Sequence, residues 1–367
     1  MSTTTASPTK RATVIGGGSW GTALAHLMAV SGADVRLWMR SADRADELNT
    51  AHTNSWYLKD QPIHARVVAT TDLEEATRFA PLLIVAIPAK HFREIAFELG
   101  RYAGGDQVLL SATKGFEAEH LTRMSQVLRE ETCCRKVGAI SGPNLADEVM
   151  AGQPTATVVA SPFDEVIDLA SRLLAGPTLR VYGNHDLVGV EIFGALKNII
   201  AIAAGACAGL GLGANSLSML LTRGLAEMSR FAERHGSDRL TSLGLAGIGD
   251  LIATCSSPLS RNNSLGRRLA EGLTLEQALA STHKVAEGVN TAEAVHRHAE
   301  RLGVDMPIAR GVHAVLSGRA KVSDVLAGLM SRANRFEHTE RPIDLPEPIA
   351  GSVVEAALAL GSRSREG

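Results

Sequence analysis

One lysine interrupts the largely apolar run GVEIFGALKNIIAIAAG, residues 189–205, near the midpoint of the chain. At helical offsets of three, four and seven, Lys197 has Val190, Phe193, Gly194, Ile200, Ala201 and Ala204 on its own side. Half of these neighbours are Gly or Ala, so another group can come close to that face. An ammonium in such surroundings needs an anionic or hydrogen-bonding partner, and loss of hydration disfavours its charged form, which suits it to proton transfer. The competing reading is a lysine that lays its stem along apolar surface and keeps its charge in water.

Other residues in the first half suit an anionic nucleotide. Gly16, Gly18 and Gly21 have the G-x-G-x-x-G spacing, with the apolar stretch Arg11–Ile15 before them and a helical pattern after them. That context fits a tight turn, a close backbone approach to a pyrophosphate and a helix N-terminus with unpaired N–H groups. The second strand expected, 34–39, ends in Met39, Arg40 and Ser41, without the acidic residue that commonly binds a ribose diol. Arg40 can face a 2′-phosphate, with Arg44 sharing that role, or be a solvated loop residue; NAD and NADP both stay open.

Lys114, beside Gly115 after the strand expected at 107–111, can reach a phosphate or carbonyl oxygen, or simply be solvated. Gly142, Pro143 and Asn144 follow the strand expected at 137–141, and Ala146 with Asp147 reads as a helix start. In the second half, Asp250 follows a pair of glycines. Ser260, Arg261 and Asn262 stand together at a helix start, where they suit a phosphate or a polyol. Ser260 as a plain helix cap is the alternative.

These residues require strands that end where the chemistry is and helices behind them. Strands are expected at 11–15, 34–39, 66–69, 82–88, 107–111, 137–141, 155–160 and 179–182. LLIVAIP, 82–88, is apolar throughout, as in a parallel sheet covered on both faces. After residue 183 only helical patterns remain, at about 186–206, 215–235, 242–254, 260–271, 274–280, 290–302, 306–315, 320–328 and 350–359. The expected domains are therefore a dinucleotide-binding unit, 10–183, and a helical substrate and catalytic unit, 184–360, with tails at 1–9 and 361–367.

A chain of 367 residues accommodates two cores. At 45% hydrophobic, 21% charged and a net charge of −2, its composition is that of a globular protein without a nucleic-acid footprint. Cysteines at 133, 134, 207 and 255 lack metal or redox spacing and fit a reducing, cytoplasmic setting. Residues 198–222 carry no charge but hold several glycines, so the expectation is two buried helices with a turn at about 209–214, not an integral membrane segment.

From about residue 12 to about 330 the chain resembles the bacterial NAD(P)-dependent glycerol-3-phosphate dehydrogenases. The likeness is carried by GGGSWGTALA, ATKG, SGPNLADE, GVEIFGALKNIIAIAAG, TRGLAEM, GLAGIGDL, TCSSPLSRN and VAEGVNT in the family's order. It implies an α/β fold: an N-terminal Rossmann-type, mostly parallel sheet, and an all-helical C-terminal domain similar to that of 6-phosphogluconate dehydrogenase-like enzymes. It also implies reduction of dihydroxyacetone phosphate to sn-glycerol 3-phosphate with NADH or NADPH, for phospholipid synthesis, in a homodimer. By resemblance Lys197 and Lys114 are catalytic, and Lys114 serves both nucleotide and substrate. Gly142, Asn144, Asp250, Ser260, Arg261 and Asn262 would cradle the substrate. Ser19, Trp20, Arg40, Ala146, Arg261, Val285 and Glu287 would contact the cofactor. Asn144 departs from the Thr or Ser of many relatives. The alternatives are a dehydrogenase of another hydroxy acid or sugar phosphate, and a nucleotide-binding protein without turnover.

Overall fold

The computed structural model describes residues 10–280, 286–333 and 337. Among the described residues ten strands form: β1 Arg11–Ile15, β2 Asp34–Trp38, β3 Val67–Thr70, β4 Leu82–Val85, β5 Val108–Ser111, β6 Phe116–Glu117, β7 Thr122–Arg123, β8 Lys136–Ser141, β9 Thr155–Ala160 and β10 Leu179–Asn184. Eight of them make one sheet in the order β10-β9-β8-β5-β4-β1-β2-β3, parallel at every pairing except β8 with β9. Period-two alternation divides its residues between two cores. Leu82, Ile84, Val108 and Leu110 join the core that takes in the helix Ser19–Val30, while Leu83, Val85 and Leu109 join the one with the helices Phe92–Gly100 and Met124–Glu131. All of β4 is buried, which is why it reads as an unbroken apolar run.

The sequence reading carries β4 on to residue 88, but it stops at Val85, and Pro88 leads into a short 3₁₀ turn, Ala89–His91. The sequence pattern also predicts a helix at about 119–130; it begins instead at Met124, because β6 and β7 take the preceding residues as a small hairpin. Arg93 holds that hairpin through Glu117, with Nη2–Oε2 at 2.8 Å, and also binds Glu130 and Glu131. The helix Phe92–Gly100 has no counterpart in the sequence reading.

Of the adjacent cysteines, Cys133 is exposed and Cys134 is buried; burial pushes the Cys134 thiol up to about 11. Of that pair, Cys133 should therefore be the residue iodoacetamide alkylates in the folded protein near pH 8, as peptide mass mapping would report.

By compactness the chain falls into two units. One takes the described residues up to Leu196 together with Met228–Ala253; the other takes Lys197–Glu227 and the described residues from Thr254 onward. The two compact units thus part within the helix Leu187–Gly209. Its first turns pack with the sheet: Val190 clusters with Val158 and Ala160 of β9 and with Ala246. That helix is apolar and long enough to cross a membrane, yet 83% of its apolar window is buried within the protein. The turn after it lies at 210–213, where the glycines put it.

The second unit is helical among the described residues. A Cβ on Gly205 would stand 1.9 Å from the Asn263 carbonyl oxygen, and one on Gly266 1.9 Å from that of Ile202. The helices Leu187–Gly209 and Arg261–Ala270 thus touch backbone to backbone. Glu227, on the helix Ala214–Arg234, accepts from the amides of Ile308 at 2.8 Å and Ala309 at 3.2 Å, capping the helix Pro307–Leu316. Glu227→Gln should lower stability by about 1–3 kcal/mol, since charge-assisted bonds to a helix N-terminus become neutral ones. A urea titration with unchanged slope is the check. The tails expected at 1–9 and 361–367 and the helix expected at 350–359 lie outside the described residues.

Candidate active site

β1 runs into the glycine turn, and Gly18 caps the helix Ser19–Val30 without a side-chain hydrogen bond. The helix is 12 residues long with no acid in its first turn, so its end keeps its positive character. A Cβ on Gly21 would lie 1.9 Å from the Gly16 carbonyl oxygen, whereas one on Gly18 would meet nothing within 4 Å. Gly21 therefore seals the turn against the helix, and Gly18 leaves a cradle in front of it. Trp20, two positions on, keeps a buried indole Nε1 with no hydrogen-bond partner. Open amides, an unfilled cradle and an unsatisfied donor fit the diphosphate of a dinucleotide.

Neighbouring segments frame this cradle. Asn54 donates to the Gly17 carbonyl at 3.0 Å and to Thr22 Oγ1 at 2.9 Å, and Ser19 Oγ donates to the Tyr57 carbonyl at 3.3 Å. Beyond β2, Arg40 is exposed, while the Arg44 guanidinium lies over the rings of Trp56 at 5.1 Å and Tyr57 at 5.2 Å. Aromatic faces hold that cation in place beside the strand end. Ala146 opens the helix Ala146–Met150 and packs, with Trp20, against the same core.

At the ends of β5 and β8 the sheet presents a charged group. Lys114 Nζ donates to Asp250 Oδ2 at 2.7 Å and to the Gly142 carbonyl at 2.9 Å. Asp250 is 1% exposed and opens the helix Asp250–Ser256 directly after a single π-helical turn, Leu245–Gly249. Such turns often mark functional positions because they shift the register of the side chains that follow. The Asn144 amide is taken up locally: its nitrogen donates to the Ala156 carbonyl at 3.0 Å and its oxygen accepts from Thr157 at 2.9 Å. Asn144 thus stitches the loop after β8 to β9.

In the second unit Lys197 is 5% exposed and donates to Thr254 Oγ1 at 2.5 Å. The snorkelling alternative is ruled out by that burial. Next to it, Asn198 Oδ1 accepts from Asn262 at 3.0 Å, and Asn262 Oδ1 accepts from the Gly288 amide at 3.1 Å. Asn262 therefore ties three helices together, and Glu287 stands at the start of the third. Ser260 caps the helix Arg261–Ala270 through the Asn263 amide at 3.3 Å, and Arg261 is exposed in its first turn. Val285 lies outside the described residues. Sequence reading passed over Thr254 and Asn198, although Thr254 stands four residues after Asp250, one helical turn on.

Comparison with known proteins bears on this arrangement. A glycerol-3-phosphate dehydrogenase [NAD(P)+] of Saccharophagus degradans is 45% identical over 319 residues, 87% of this chain and 89% of that protein. One of Corynebacterium diphtheriae is 46% identical over 327 residues, 88% of this chain and 99% of that protein. The chain belongs to the glycerol-3-phosphate dehydrogenase family. The family's models, NAD-dependent glycerol-3-phosphate dehydrogenase N-terminus and C-terminus, match residues 11–166 and 186–327. Lys114 falls within the first match, and Lys197, Asp250 and Arg261 within the second. A crystal structure of glycerol-3-phosphate dehydrogenase from Coxiella burnetii superposes with a TM-score of 0.84 at 34% identity, over 88% of this chain and 99% of that one. A ketopantoate reductase from Ralstonia eutropha, at a TM-score of 0.56 and 16% identity, shares the fold.

Proposed function

We propose that this chain catalyses the reversible, NAD(P)H-dependent reduction of dihydroxyacetone phosphate to sn-glycerol 3-phosphate, which supplies phospholipid synthesis. The observation that carries the reading is Lys197, buried on an apolar helix and held by Thr254, in a chain 45% identical to an enzyme of that name. When bound, the reduced nicotinamide supplies the hydride. Lys197 donates a hydrogen bond to the C2 oxygen and gives it a proton as negative charge develops there; in the reverse direction its neutral amine accepts that proton. Thr254 aims Nζ by accepting its hydrogen bond. Lys114, fixed by Asp250 and the Gly142 carbonyl, adds positive charge for substrate and nucleotide.

Arg261, exposed beside the N-terminal amides of its helix, binds the phosphate, and that remote grip orients C2. Ser260 and Asn262 hold that helix end in place. Gly16, Gly18, Ser19, Trp20 and Gly21 hold the dinucleotide's diphosphate, and Arg40 its adenosine end; Ala146 and Glu287 complete its contacts. The enzyme acts in the cytoplasm as a homodimer.

Absorbance at 340 nm, with purified protein and NADH or NADPH in separate runs, tests the reaction: oxidation that depends on dihydroxyacetone phosphate is the expected result, and its absence with both cofactors rejects the substrate. In the same assay Arg40→Ala should lower kcat/KM for NADPH about tenfold or more and change that for NADH little, because a guanidinium bonded to phosphate contributes about 1.5–3 kcal/mol. An unchanged ratio of the two efficiencies would remove Arg40 from cofactor selection.

A further inference from the structure

Glu191 is a charged residue that the reaction above does not use, and it is 8% exposed. Its carboxylate accepts from the Ser125 amide at 2.8 Å, from Ser125 Oγ at 2.6 Å and from Arg123 Nη1 at 2.7 Å. It thereby closes the N-terminus of the helix Met124–Glu131, a favourable place for negative charge. Arg123 ends β7, and its backbone pairs with Phe116, two residues past Lys114. The ion pair thus joins the hairpin that follows Lys114 to the helix that bears Lys197.

Glu191, Gly194 and Lys197 succeed one another at steps of three along one ridge of that helix. A Cβ on Gly194 would lie 2.8 Å from Ser141 Oγ and 3.7 Å from Lys114 Cγ. The helix is therefore gripped at Glu191 and seated at Gly194 before it reaches Lys197. From Glu191 to Lys197 the axial rise is about 9 Å. A helix transmits a small rotation or slide over that span with little loss, and an error near 1 Å at an acid–base group is enough to slow a reaction by about 100-fold.

We propose that Glu191 is a positioning residue for the reaction: the Glu191–Arg123–Ser125 clamp sets the rotation and height of the helix that presents Lys197. The proposal rests on Lys197 being the proton donor. Glu227 is a natural comparator, because it is also a buried carboxylate capping a helix and has no place in the reaction. A clamp that matters only for stability would behave as Glu227 does.

The test uses the full chain and four proteins: the parent, Glu191→Gln, the milder Arg123→Ala, and Glu227→Gln. For each, kcat is normalised to the number of nucleotide-binding sites measured by titration, and substrate KM and Tm are read beside it. Glu191→Gln and Arg123→Ala should lower normalised kcat by about 10–100-fold, with KM within about twofold. Glu227→Gln should lower Tm and leave normalised kcat unchanged. If Glu191→Gln fails to fold, Arg123→Ala decides alone. Normalised kcat at the parent level in the folded clamp variants, whatever their Tm, overturns the proposal and leaves the reaction standing. A parent inactive with dihydroxyacetone phosphate overturns the reaction itself, and the role of the clamp with it.

Discussion

Replacing Lys197 by Met should lower turnover by about 10²–10⁴-fold, the usual contribution of a positioned proton donor, while nucleotide affinity stays near that of the parent. Methionine keeps most of the buried stem and removes only the ammonium, so the variant separates chemistry from packing better than Ala, which would leave a cavity where the stem of this 5% exposed side chain stood. Thr254 loses the donor it accepts from, but its hydroxyl can donate elsewhere, and the change in stability should be small beside the change in rate. The decisive comparison is kcat against nucleotide Kd. A fall in both by the same factor would mean that Lys197 supports the bound nucleotide or the fold, and the assignment would have to be withdrawn.

What could be read beforehand follows from whether a constraint is local in sequence. β4 and the glycine turn announce themselves, because a strand buried on both faces must be apolar throughout and a phosphate cradle must lack Cβ atoms. The apolar side on which Lys197 stands was legible for the same reason, since its helix neighbours are encoded three, four and seven residues away. Its burial was not, because a snorkelling lysine has the same neighbours. Two-residue strands such as β6 and β7 have no period to detect, so the hairpin disappeared into the helix expected at about 119–130. Asn144 shows a different limit. Its residue type suits ligand binding and backbone stitching equally, and only the position of β9, which brings Ala156 and Thr157 against it, gives it the second role. The Glu191 clamp is more distant still, since Arg123 and Ser125 lie 68 and 66 residues away and no pattern links them.

The two glycines that flank Ser19 and Trp20 should respond to substitution in opposite ways, although the motif treats them alike. Gly18 has φ −78° and ψ 178°, a backbone conformation open to any residue, and a Cβ there meets nothing within 4 Å. Gly18→Val should therefore fold with a Tm close to the parent's. Its side chain would occupy the space through which a diphosphate approaches the amides of the helix Ser19–Val30. Loss of even one charge-assisted bond of about 1.5–3 kcal/mol raises the nucleotide Kd by about tenfold or more. Gly21→Ala places its Cβ 1.9 Å from the Gly16 carbonyl oxygen and 3.3 Å from Ala86 Cβ, so the helix must move off β1 and β4. That should cost about 1–3 kcal/mol of stability, with weaker binding only as its consequence. Thermal unfolding and nucleotide titration on the two variants should therefore separate them: one stable and blind to the dinucleotide, the other unstable. If both lose stability alike, the space in front of Gly18 is not a ligand's, and the helix N-terminus has been given the wrong role.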